Sequence, residues 1–122
     1  MPATGGTIAV LVVGHEPLLR ETYTMLFQRA GYTADAAELS HSVRRLKEIN
    51  FAAVVMDHTL SKEERQSLVR LARQLSPKIK TVALHSSAQD CGADLWMDSR
   101  QGADVILDRV TELLERPGLP GS

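Results

Sequence analysis

The sequence predicts one α/β domain, a five-stranded parallel sheet with helices on both faces. Two observations predict it. Short apolar runs alternate five times with longer segments whose apolar residues recur at helical spacing. The central runs are also apolar at every position, as required of strands covered on both faces. At 122 residues the chain fits one such domain and can bury a real core without disulfide or metal staples.

The first strand is Ile8 to Val13, an uninterrupted apolar run. Leu19, Tyr23, Leu26, Phe27 and Ala30 then fall on one helical face, with Pro17 suited to the first turn and Gly31 to the C-terminal cap. A weaker strand over Tyr32 to Ala36 follows. Val43, Leu46 and Ile49 mark a second helix, capped by Ser40. The third strand, Ala52 to Met56, runs into Asp57. Ser61 and Glu64 have capping-box spacing and open a third helix, whose inner stripe is Leu68, Leu71, Ala72 and Leu75 and which Pro77 ends. Thr81 to Leu84 is the fourth strand, ending at His85-Ser86. A weaker helix over Ala93 to Gln101 carries Trp96 and Met97. Val105-Ile106-Leu107 is the last strand, and a short helix holds Val110, Leu113 and Leu114. The domain spans 8–116, between an N-terminal segment 1–7 and a tail 117–122 whose Gly and Pro content predicts flexibility.

The bulk properties exclude several function classes. The chain is 43% hydrophobic and 24% charged, the profile of a globular protein. A net charge of −1 argues against a nucleic-acid surface, which would be basic. No apolar stretch reaches the roughly 20 residues needed to span a bilayer. The lone Cys91 cannot form an internal disulfide, and a reducing cytoplasm is the expected compartment. It has no neighbouring base and is expected to be inert. No G-x-G-x-x-G is present, and the Gly5-Gly6 pair precedes the first strand where a phosphate-cradling loop would follow it.

Ligands of such sheets sit beyond the carboxyl ends of the strands. The residues there are Gly14-His15-Glu16, Asp57-His58-Thr59, His85-Ser86 and Asp108-Arg109. With the apolar strand leading into Glu16-Pro17, the Val54-Val55-Met56-Asp57 strand and a Gly102-Ala103-Asp104 turn, the chain resembles the receiver domains of two-component response regulators over roughly residues 8 to 115. The resemblance implies a flavodoxin-like (CheY-like) fold, a doubly wound five-stranded parallel sheet of order 2-1-3-4-5. It also implies a cytoplasmic signalling module, not an enzyme in its own right, whose partner is a histidine kinase or another signalling protein. One candidate assembly is a homodimer through the face of the fourth helix, last strand and last helix, although the sequence does not determine the oligomeric state; neither nucleic acid nor membrane is an expected partner.

Carried over residue by residue, the resemblance is incomplete. Asp57 takes the phosphoacceptor position, and Thr59 the position that offers a backbone carbonyl to Mg²⁺. Gly14 and His15 replace the acidic pair; Glu16 comes one position late. Arg109 falls at the lysine position, and His85 at the Ser/Thr switch position unless a one-residue shift brings Ser86 there. Mg²⁺ demands a near-octahedral set of hard oxygens, so a weak Mg²⁺ site at most is expected, on Asp57 and Thr59, with no other cofactor. Arg109 keeps a positive charge but differs from lysine in shape and reach. The leading expectation is an atypical receiver that acts by protein interaction with impaired or absent phosphorylation. The alternatives are a working phosphoacceptor at Asp57 and a metal site lined by His15, His58 and His85.

Overall fold

The strand Ala9–Val13, β1, is an interior strand of the sheet, and Val10 to Val13 have no solvent exposure at all. Its residues alternate between two cores. Leu11 and Val13 pack on one face with Val54, Met56 and Ala83, while Val10 and Val12 pack on the other with Val55, Val82 and Leu84. That two-sided burial is why these runs show no polar alternation in the sequence.

The computed structural model describes residues 8–85, 92–98 and 100–115. After β1 come α1 (Pro17–Arg29), β2 (Thr33–Ala37), α2 (Leu39–Glu48), β3 (Ala53–Met56), α3 (Lys62–Leu75), β4 (Lys80–His85), β5 (Leu95–Asp98) and α4 (Ala103–Leu114). All four pairings are parallel, and the sheet order is β2-β1-β3-β4-β5, the order 2-1-3-4-5 expected above. Leu46 of α2 and Leu68, Val69 and Ala72 of α3 cover one face. Tyr23 and Phe27 of α1 and Ile106 and Val110 of α4 cover the other. Pro17 opens α1, and Gly31 sits just past its end at φ +100°, a conformation that favours glycine.

The last third of the chain departs from expectation. Val105-Ile106-Leu107 is not a strand but part of α4, and Trp96 and Met97 lie not on a helix but in β5. The physical reason is period. Leu95 and Met97 pack into the α1–α4 core while Trp96, on the opposite face, stays 39% exposed, a spacing of two. Ile106 and Val110 are buried one helical turn apart. The turn before the last strand is therefore Gly92-Ala93-Asp94, not Gly102-Ala103-Asp104. Between β4 and β5, Gly92 to Asp94, the described part, are not helical. The candidate homodimer face thus consists, among the described residues, of β5 and α4.

Two helix starts differ in quality. Helix α2 begins at Leu39 with Glu38 before it and no side-chain cap, so Ser40 is not the cap; Ser42 and Leu46 are its buried residues, and Val43 is exposed. At α3 the expected capping box is complete: the Glu64 amide donates to Ser61 Oγ (3.1 Å), and the Ser61 amide to Glu64 Oε1 (2.8 Å). Ser61→Ala is expected to lower stability by about 1 kcal/mol in thermal or urea unfolding. The Ser61 amide and then His15 hold the Glu64 carboxyl below its ordinary range. A depressed carboxyl contributes stability above its unfolded pKa and loses it as pH falls through the folded value. The deficit of Glu64→Gln should accordingly shrink in acid. The segments 1–7 and 117–122, like Ser86 and Cys91, lie outside the described residues.

Candidate functional site

Parallel register decides which strand ends meet. Val13 pairs with Met56 and Met56 with Ala83, so the next residues, Gly14, Asp57 and Leu84, share a row. His85, at the end of β4, pairs with Asp98.

Asp57 is completely buried. Its Oδ1 accepts the Thr59 amide (2.9 Å) and the Thr59 hydroxyl (2.5 Å). Its Oδ2 is also buried and has no hydrogen-bond partner among the described residues. The carboxylate lies against Gly14 so closely that a Cβ there would fall 1.8 Å from Oδ2. It also faces α1: burial first, and then the charge of Asp57, raises the pKa of the Tyr23 phenol.

The loop after β1 is tied across this pocket. The His15 amide donates to Thr59 Oγ1 (2.8 Å), and the exposed His15 ring meets the Glu64 carboxylate through Nε2 (3.0 and 3.1 Å). Arg20 Nη1 donates to the Gly14 carbonyl (2.7 Å). Glu16 is engaged at the start of α1, where its Oε1 accepts the Leu18 amide (3.3 Å). On the other side of the loop, the buried Arg65 donates from Nη1 to the Leu60 carbonyl (2.5 Å). Sequence reasoning missed Arg65, whose partner is the nearby Leu60 carbonyl, and read Glu64 only as a cap, because its pairing with His15 is set by the tertiary fold.

The remaining candidates are not gathered here. Arg109 is exposed on α4, six residues after its first residue and so about 9 Å along the helix. The structure thus removes it from the lysine position, since it does not follow the last strand. At the end of β5 stands Asp98, held by Arg100 through Nη2 to Oδ2 (2.7 Å) and Nε to Oδ1 (3.1 Å). His58 is exposed, and His85 ends β4. Among the described residues no three His, Cys, Asp or Glu side chains are grouped to hold a metal; the His85 side chain, which the alternative of converging histidines needs, lies outside that description. Nor do the residues fit Mg²⁺. The pocket offers one carboxylate and the Thr59 carbonyl, Gly14 brings no donor, and the His15 ring nitrogen is a soft ligand turned to Glu64.

No family model and no curated protein matches the sequence. Solved structures do match the fold. A response regulator from Thermotoga maritima is 18% identical with TM-score 0.78, covering 90% of this chain and 99% of its own. A CheY-like receiver domain protein from Methanospirillum hungatei is 17% identical with TM-score 0.76, covering 91% and 96%. A putative pilus assembly-related protein from Burkholderia pseudomallei is 14% identical with TM-score 0.74, covering 93% of each chain. The chain has the CheY-like receiver fold.

Proposed function

We propose that this chain is a receiver-type module of two-component signalling that works by binding a partner protein, without Mg²⁺-dependent phosphorylation of Asp57. The partner is a histidine kinase or another signalling protein. The observation that carries the reading is the environment of Asp57: a buried carboxylate packed against Gly14, a residue that brings no carboxylate of its own. Phosphoryl transfer brings two anions together and depends on positive charge placed between them. Here the acidic pair that would hold the metal is Gly14-His15. At the end of β5 the cation among the described residues, Arg100, is committed to the Asp98 carboxylate. A fold shared with proteins described in other terms does not fix a function, so the site must carry the argument.

The test is incubation of the purified chain with acetyl phosphate and Mg²⁺, read by intact mass. No phosphoryl adduct is expected. An adduct that disappears in Asp57→Ala would establish the alternative reading, a working phosphoacceptor, and end this one.

A further inference from the structure

We propose that Gly14 forms a slot into which Asp57 is withdrawn, and that Thr59 and the loop after β1 close it, so that the acceptor carboxylate is held out of reach of solvent. This deepens the reading above and rests on its placing Asp57 at the acceptor position. The same glycine that costs the pocket a metal ligand also gives the carboxylate a place to go.

The geometry argues in three steps. First, the slot exists only because position 14 has no side chain: any Cβ would stand 1.8 Å from Oδ2, 2.4 Å from Cγ and 2.5 Å from Oδ1 of Asp57, all far inside contact distance. Alanine at 14 cannot coexist with the carboxylate where it lies. Second, Thr59 holds the carboxylate in the slot. Its amide and hydroxyl both donate to Oδ1, and its hydroxyl oxygen in turn accepts the His15 amide. The loop after β1 is thus hydrogen-bonded to the group that grips Asp57. The His15–Glu64 contact and the Arg20 bond to the Gly14 carbonyl hold that loop at two further points. Third, Oδ2 is buried and has no hydrogen-bond partner among the described residues, so the contacts that hold the carboxylate inward are those to Oδ1. The raised pKa of Tyr23 agrees with a carboxylate turned inward toward α1.

Chemical accessibility tests the inference without reference to phosphate. The full chain is treated under native conditions with a water-soluble carbodiimide and glycine ethyl ester, and labelled carboxyls are mapped by peptide mass. In the unmodified protein Asp57 should label at least about tenfold more slowly than the exposed Asp104 and Glu115. Gly14→Ala should bring Asp57 to within a few-fold of those two. Thr59→Val, which removes the hydroxyl but keeps the shape, should accelerate it partway. Circular dichroism identifies a variant that fails to fold; should Gly14→Ala do so, the rates of the unmodified protein and Thr59→Val decide. Labelling of Asp57 at the rate of Asp104 in the unmodified protein overturns the proposal. So does a folded Gly14→Ala, or Thr59→Val, in which Asp57 stays as protected as before.

The two claims fail separately. Phosphorylation of an Asp57 that resists carbodiimide would sink the proposed function and leave the withdrawal standing. An Asp57 that labels freely yet accepts no phosphate would do the reverse.

Discussion

Phe27→Ala is expected to destabilise the domain by about 3–5 kcal/mol, the largest loss of any single truncation argued here. Phe27 has no solvent exposure, and its ring meets Tyr32 edge-on, with centroids 5.9 Å apart and planes at 63°. It anchors the last turn of α1 between β1 and the turn into β2, in the same core as Val10, Val12 and Val110. Tyr32 in turn carries a hydroxyl bonded to Thr111 Oγ1 of α4 (2.8 Å), so loss of the Phe27 ring also loosens the seat of a second helix. The edge-on pair adds roughly 0.5–1.5 kcal/mol to the area term, within that range. Domains of this size have stabilities of about 5–15 kcal/mol, so the variant should melt at least roughly 10 °C lower. Met25→Ala on the exposed side of α1 is the control and should cost less than about 0.5 kcal/mol. Urea unfolding followed by circular dichroism measures both. A cost below about 2 kcal/mol at Phe27 would mean the core closes over the void and is less rigid than its burial implies.

The contrast between Phe27 and Trp96 shows where a sequence speaks plainly. Phe27 belongs to a stripe of apolar residues repeated over three turns, and such repetition identifies both the helix and its inner face. The central strands are equally legible, because only two-sided burial makes Val10 to Val13 and Val54 to Met56 apolar throughout. Leu95-Trp96-Met97 offers three apolar residues in a row, too few to distinguish period two from period 3.6. Two Gly-Ala-Asp tripeptides stand near it, at 92–94 and at 102–104. Reserving room for a helix between β4 and β5 selects the second, whereas the chain makes that crossover in residues 86–94 and uses the first. Every assignment downstream then slides, which is how Arg109 came to be placed after a strand when it lies on α4.

The site was legible by composition and not by conformation. Asp57 could be found because a strand buried on both faces ends there. Gly14 could be recognised as a missing acid. That the missing side chain leaves space which Asp57 itself fills depends on a rotamer and on a register between strands, neither of which is written locally. The pairing of His15 with Glu64 joins positions 49 apart and was hidden for the same reason, while the Ser61–Glu64 cap, three apart, was not.

Restoring both acids, Gly14→Asp with His15→Asp, is expected to convert a protein indifferent to magnesium into one that binds it and takes phosphate on Asp57. The first substitution acts twice: its Cβ would stand 1.8 Å from the present position of Oδ2 and so drives the carboxylate out of the slot, and it adds a donor. The second replaces an imidazole with another hard oxygen ligand and frees Glu64 of its contact. Three carboxylates with the Thr59 carbonyl suit a small hard cation, whereas one carboxylate does not. Without metal the variant should be less stable than the parent, since like charges crowd one pocket. Magnesium at about ten times its dissociation constant should then raise its stability by about 1.4 kcal/mol, a shift of several degrees, and leave the parent unchanged. With acetyl phosphate present, intact mass should show an adduct that Asp57→Ala removes. Transfer should still be slow, because Arg100, the cation described just past β5, is held by Asp98. A double variant that folds, yet melts at the same temperature with and without magnesium, would show that the count of acids is not what this pocket lacks. The cause would then have to be sought at the β5 end.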